Sequence, residues 1–226
     1  QNLVMPLPDE VDFPAGSITT LGSVALHAVR RVDPKLGDFV LVMGVGILGQ
    51  LSVQLLVAHG ARVLAADLDK KRLELAASLG AEAVFHPDDG DMAKLVTHYT
   101  GGHGADATLF CAATSNPAAL SSAFAATRRK GKVVMSGVYG TELKRDDIYK
   151  KEIDFLIATS YGPGRYDPSY EEQGQDYPYA YVRWTENRNM RAFLHLLGTG
   201  QVKSEPLIQA VYPVAEVETA YASLTG

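Results

Sequence analysis

Short apolar, β-branched runs alternate with helical stretches from about residue 36 to residue 159. Phe39–Met43 carries no polar position, as a strand buried on both faces requires. Residues 47–58 carry apolar residues at helical spacing and predict an amphipathic helix. Residues 62–66 and 83–85 predict a second and a third strand, separated by a helix over 70–79 that Gly80 closes. A helix near 91–99 leads through Gly101-Gly102-His103-Gly104 to a fourth strand over 107–111. Asn116-Pro117 starts a further helix that ends before Gly131. Residues 132–135 and 155–158 complete six strands.

Strands that are apolar throughout and separated by helices predict a parallel sheet covered on both faces. Right-handed crossovers then give an α/β, doubly wound, six-stranded Rossmann sheet, with ligands bound beyond the C-terminal ends of its strands. A helix over roughly 15–31 precedes this core. An aromatic stretch rich in Pro and Gly, 161–184, follows it, and then helices near 186–197 and 215–224. No internal repeat or low-complexity linker divides the chain, so residues 1–226 are expected to form one domain.

Gly44-Val45-Gly46-Ile47-Leu48-Gly49 is a G-x-G-x-x-G that directly follows a predicted strand and opens a predicted helix. Gly44 allows the tight turn, Gly46 lets the backbone approach a pyrophosphate, and Gly49 lets helix and strand pack closely. The amides of Ile47 and Leu48 at the helix N-terminus face the pyrophosphate, where the helix dipole favours negative charge. Asp67 ends the second strand about twenty residues on, where a carboxylate accepts hydrogen bonds from the adenosine ribose. Its charge repels the 2′-phosphate of NADP, so NAD is the expected cofactor and NADP the less favoured one. Lys70 and Lys71 are read as a solvated first helical turn.

Composition narrows the class. A formal net charge of −5 excludes the basic face that a nucleic-acid backbone requires. No apolar stretch approaches the ~20 residues of a bilayer span. Gln1-Asn2-Leu3-Val4 lacks the basic and apolar regions of a secretory signal. The single cysteine, Cys111, excludes an internal disulfide and fits a reducing compartment, so a cytoplasmic protein is expected. With one cysteine and six scattered histidines, no metal-ligand spacing is present and no zinc is expected.

Gly37-Asp38, the Gly44–Gly49 cradle, His59-Gly60-Ala61, Asp67, Leu79-Gly80-Ala81, Gly104-Ala105-Asp106 and the run from Gly131 to Gly137 occur in that order. Together they resemble the cofactor lobe of medium-chain, alcohol-dehydrogenase-like reductases, as does the preceding helix from Thr20 to His27. The later motifs, 161–168 and 182–190, resemble the dehydrogenase half of bacterial two-part oxidoreductases that carry a glucose-fructose-oxidoreductase-type half. The resemblance implies an NAD(P)-dependent oxidoreductase moving a hydride between nicotinamide and an alcohol or carbonyl, including sugar or polyol-like substrates. It places Arg72 along the adenosine ribose, and Cys111, Ala112 and Ala113 beside the adenosine and nicotinamide-ribose path. Ser136, Gly137 and Val138, with Ser160 and Tyr161, fall at the last two strand ends, where backbone groups hold the carboxamide. Thr19 or Thr20 approaches the nicotinamide from the preceding helix.

The resemblance also implies an N-terminal catalytic lobe and a homodimer. Segments 1–31 and 200–226 are expected to adjoin that lobe, and the chain alone to be inactive. Where zinc-dependent relatives place a cysteine ligand, this sequence has Ala15-Gly16. No catalytic donor stands out: Tyr139 is followed four residues on by Leu143 rather than by the lysine of a Tyr-x-x-x-Lys pair. Cys111 reads as a small core residue. Six of the eleven tyrosines fall between Tyr161 and Tyr181, as a packed surface excursion, a subunit contact or a substrate-facing lid. A non-catalytic dinucleotide-binding or sensing module remains the alternative function.

Overall fold

The computed structural model describes residues 2–138, 140 and 142–223, and Tyr139 and Leu224 lie outside them. Pro14 stands in the first turn of a short helix, α1 (Phe13–Ser17), whose N-cap Asp12 accepts the Ala15 amide at 2.8 Å. The helix predicted over 15–31 is therefore two: Ile18 breaks the run, and α2 (Thr19–Val32) follows. The core then alternates as β1 (Phe39–Met43), α3 (Ile47–Ala58), β2 (Arg62–Ala66), α4 (Lys70–Ser78), β3 (Ala83–Phe85), α5 (Met92–Tyr99), β4 (Ala105–Phe110), α6 (Pro117–Ala126) and β5 (Thr127–Met135). Next come α7 (Arg145–Tyr149), β6 (Asp154–Ile157), α8 (Pro168–Glu171), α9 (Glu186–Gly198) and α10 (Val217–Ala222).

The six strands form one sheet in the order β3-β2-β1-β4-β5-β6, and every pairing is parallel. This is the doubly wound order, and the direction of winding reverses between β1 and β4. Successive β1 side chains enter opposite layers: Val40 and Val42 join α2, α3 and α9, while Leu41 packs with Val96 of α5. A third cluster joins α6 to β5 through Leu120, Phe124 and Met135.

Two further expectations change. β5 begins at Thr127, five residues before the predicted start, and the register between β4 and β5 shifts between Ala105 and Ala107. The extra length comes from Arg128-Arg129-Lys130, with Lys130 in the left-handed region at φ 57°, polar residues that hid a strand from its apolar pattern. And α3 is not amphipathic: every residue from Gly49 to Leu56 is buried, because the helix is wedged between the sheet and α2.

Candidate dinucleotide site

β1 ends at Met43, and the chain turns through Gly44 at φ 86°, a conformation that favours glycine. A Cβ here would also lie 2.5 Å from the Ala112 amide nitrogen, so Gly44 lets the β1 turn sit against the end of β4. A Cβ at Gly49 would lie 2.1 Å from the Gly44 carbonyl oxygen, so this glycine serves the packing of α3 on its own turn. Gly46 differs from both. It is the N-cap of α3, gives no side-chain cap, and has open space where its Cβ would project. The first α3 amide to bond back is that of Gln50, to the Gly46 carbonyl at 2.8 Å, which leaves the turn of Ile47 and Leu48 as an uncapped helix N-terminus. Ile47 is exposed there and Leu48 half-buried. Backbone donors and a positive helix end facing open space fit an anion such as a pyrophosphate.

Asp67 stands two residues before the N-cap of α4. Its Oδ2 accepts the Val45 amide at 2.7 Å and its Oδ1 accepts the Asp69 amide at 2.9 Å. A carboxylate has about four acceptor positions, so both oxygens keep capacity for ribose hydroxyls. The acid predicted for the ribose is thus bonded directly to the glycine cradle. Arg72, in the first turn of α4, is more than half exposed, and its Nε lies 3.7 Å from Asp69 Oδ2.

The remaining predicted positions lie just past the strand ends. The amides of Cys111 and Ala112 both donate to the Met43 carbonyl, at 2.8 and 3.0 Å, and those of Ser136 and Gly137 both donate to the Phe110 carbonyl, at 2.9 and 3.0 Å. Each strand end thereby leans on its neighbour, and the row lies past the C-terminal ends of β1, β4 and β5, where a doubly wound sheet has its ligand crevice. Gly137 is required by this closeness, since a Cβ there would lie 2.2 Å from the Ala112 oxygen. Ser136 Oγ is buried with no partner, and Val138 is exposed. Ser160 lies beyond β6 at φ 49°, and the Tyr161 carbonyl accepts Asn189 Nδ2 at 2.9 Å. Thr20 is exposed on the first turn of α2, whereas Thr19 is turned onto the Gly16 carbonyl at 2.6 Å. Burial pushes the Cys111 thiol up to about 12, against reactivity as a nucleophile.

Grooves lie elsewhere: one of about 660 Å³ between Leu7 and Leu194, another of about 730 Å³ beside Arg129 and Tyr149. Neither combines a helix N-terminus with a glycine turn and an acid, so chemistry rather than concavity locates the site. Sequence reasoning missed Gln50, buried one residue past the last cradle glycine. Two amide side chains, Gln50 and Gln54, inside a largely apolar helix were the available signal.

The zinc-binding dehydrogenase family model matches residues 48–172. The chain belongs to the zinc-binding dehydrogenase family. Its relatives include a 2-dehydro-3-deoxy-L-galactonate 5-dehydrogenase from Pseudoalteromonas atlantica, 31% identical over 97% of this chain and 57% of that protein. Among solved structures, the 2R,3R-butanediol dehydrogenase of Bacillus subtilis matches with a TM-score of 0.70 and 27% identity, over 89% of this chain and 51% of that one. A Sinorhizobium meliloti 1021 structure bound to NADP shares the fold, at a TM-score of 0.71 and 22% identity over 91% of this chain and 54% of that one. The chain therefore spans about half the length of these zinc-binding dehydrogenase relatives. Among the described residues no three His, Cys, Asp or Glu side chains come together as a metal ligand set, so the residues present do not fit a zinc ion.

Proposed function

We propose that this chain is the cofactor lobe of an alcohol-dehydrogenase-type oxidoreductase and takes NAD(H) in preference to NADP(H). The observation that carries the reading is the direct bond between the Val45 amide of the glycine turn and the Asp67 carboxylate, next to an uncapped helix end that opens on empty space. In this arrangement Gly46, Ile47 and Leu48 hold the pyrophosphate and Asp67 the adenosine ribose, with Arg72 alongside. The crevice past β4, β5 and β6 takes the nicotinamide half, along Cys111, Ala112, Ser136, Gly137, Val138, Ser160 and Tyr161, with Thr20 on its far side. Bound nicotinamide supplies hydride transfer, while the protein fixes its face and excludes water.

The partner substrate is an alcohol or carbonyl of the sugar or polyol kind, the class named for the sugar-acid and diol dehydrogenases above. A further lobe supplies the proton route and the substrate pocket, and the chain alone turns over negligibly. Association of two copies through the free edge of β6, where Ile157 is exposed, and a cytoplasmic location belong to the same reading. No helix among the described residues is long and apolar enough to cross a membrane.

Gly46→Val tests the cradle. The added side chain meets no protein atom at its Cβ and projects into the space assigned to the phosphates. Calorimetric titration is expected to show NADH affinity falling by at least about a hundredfold, with the unfolding midpoint little changed. Undiminished affinity in a folded variant would move the site elsewhere.

A further inference from the structure

Two buried glutamines project from α3 one turn apart and tie it to different parts of the molecule. Gln54 pairs with the backbone of Lys203, donating from Nε2 to its carbonyl at 3.1 Å and accepting its amide at Oε1 at 2.7 Å. Gln50 donates twice from Nε2, to the Val45 carbonyl at 2.9 Å and to the Arg72 carbonyl at 2.7 Å. Both partners are acceptors, so only the amide nitrogen can face them. Gln50 Oε1 is left buried without a partner, an arrangement that costs stability rather than adding it.

The bonds close a circuit. Val45 is held at both of its backbone groups, the carbonyl by Gln50 and the amide by Asp67. Asp67 also accepts the amide of Asp69, and Asp69 caps α4 by accepting the Lys71 amide at 2.8 Å. Arg72 in that first turn returns to Gln50. The circuit joins the phosphate turn, the ribose acid and the helix that carries Arg72.

We propose that Gln50 is a positioning residue for the adenosine half of the dinucleotide, setting the separation between the glycine cradle and Asp67. It thereby supports the preference for a ribose diol over a 2′-phosphate. The proposal rests on the dinucleotide reading above. Small displacements of a positioned group cost disproportionate affinity, so a lost strut registers in binding before it registers in the fold.

The test titrates the chain and its Gln50→Met, Gln50→Glu and Gln54→Met variants with NADH, NADPH and 5′-AMP, at pH 7.5 and 5.5, with the unfolding midpoint of each recorded. Gln50→Met is expected to weaken NADH and 5′-AMP by about tenfold, the loss of two neutral hydrogen bonds, and to narrow the NADH to NADPH ratio. Gln54→Met removes two hydrogen bonds from the same helix and is expected to lower the midpoint while leaving the ratio unchanged. Gln50→Glu is expected to regain part of its loss at pH 5.5, relative to the unmodified chain at that pH, because a protonated carboxyl donates to one of the two carbonyls. Gln50→Met binding like the unmodified chain, or Gln54→Met narrowing the ratio equally, would overturn the proposal. If Gln50→Met does not fold, a Gln50→Glu affinity that keeps one ratio to the unmodified chain at both pH values overturns it. Failure of the unmodified chain to bind NADH at all would instead remove the dinucleotide reading.

Discussion

The three glycines of the cradle are alike in sequence and unlike in what surrounds them. Gly44 and Gly49 are pressed against backbone atoms of the turn and of the segment just past β4, so larger residues there disturb the fold, while Gly46 faces open space. Glu186 is a residue of another kind. It opens α9 fully buried, with neither carboxylate oxygen partnered. Burial, and then the charge of Glu171, raise it to about 7 from 4.5, with Arg165 opposing. The folded state therefore binds a proton that the unfolded state has released between those values. The stability this group contributes is complete below about 4.5 and is lost as pH rises through about 7. Glu186→Gln keeps the volume without the charge. Urea unfolding is expected to find the variant more stable than the unmodified chain at pH 8.5, by on the order of 2 kcal/mol, with the gap closing toward pH 5. A gap of the same size at both pH values would contradict this account. His27 has the opposite slope: burial, and then Arg31 and Arg30, lower it to about 4, so its contribution is lost as pH falls.

At the scale of elements, Gly22 of α2 meets the Phe193 ring of α9. A Cβ on Gly22 would stand 2.1 Å from the tip of that ring, and Phe193 is fully buried with nowhere to move. Alanine in a helix interior gains about 0.5–1 kcal/mol over glycine, whereas overpacking a tight core costs about 1–3 kcal/mol. The second effect wins here. Gly22→Ala is expected to lower stability by about 1–2 kcal/mol in denaturant titration, and an unchanged or raised midpoint would show that the helices separate freely. The strands β1, β2 and β3 were legible to the residue because their apolar runs are bounded by glycine and charge. The start of β5 was not, since the ladder to β4 pairs Thr127 and resumes only at Lys132, and across that irregularity Arg128 turns its side chain to Asp106 while the Lys130 amide donates to the Lys151 carbonyl at 2.7 Å. The burial of α3 was equally hidden, because Gln50, Ser52 and Gln54 read as a polar face in sequence, and only the fold shows that α2 and the sheet cover it. Asp67 was found from spacing, but its bond to Val45 and the Gln50 strut depend on side-chain direction, which periodicity does not carry. Glu186 had no signal at all: its amide donates to the Pro163 carbonyl at 2.9 Å, within a stretch where Tyr170 is buried against a stacked Tyr177 while Tyr166, Tyr179 and Tyr181 stay exposed.

For the molecule as a whole, the six-stranded parallel sheet sets the glycine turn, Asp67 and the proposed contacts after β4, β5 and β6 past the C-terminal ends of its strands. The reversal of winding between β1 and β4 opens the crevice there, with the Gly44–Gly49 turn on one side and the ends of β4, β5 and β6 on the other. Family membership and fold fit a dehydrogenase, and the chain covers about half the length of the dehydrogenases it matches, so the choice of cofactor is the property that this chain itself can reveal. The proposed choice rests on Asp67. The most direct measurement is isothermal titration of the unmodified chain and of Asp67→Ser with NADH and with NADPH. The unmodified chain should bind NADH at least about tenfold more tightly than NADPH, and Asp67→Ser should narrow that gap. Equal affinities for the two cofactors in the unmodified chain, or a gap that Asp67→Ser leaves intact, would contradict the assignment.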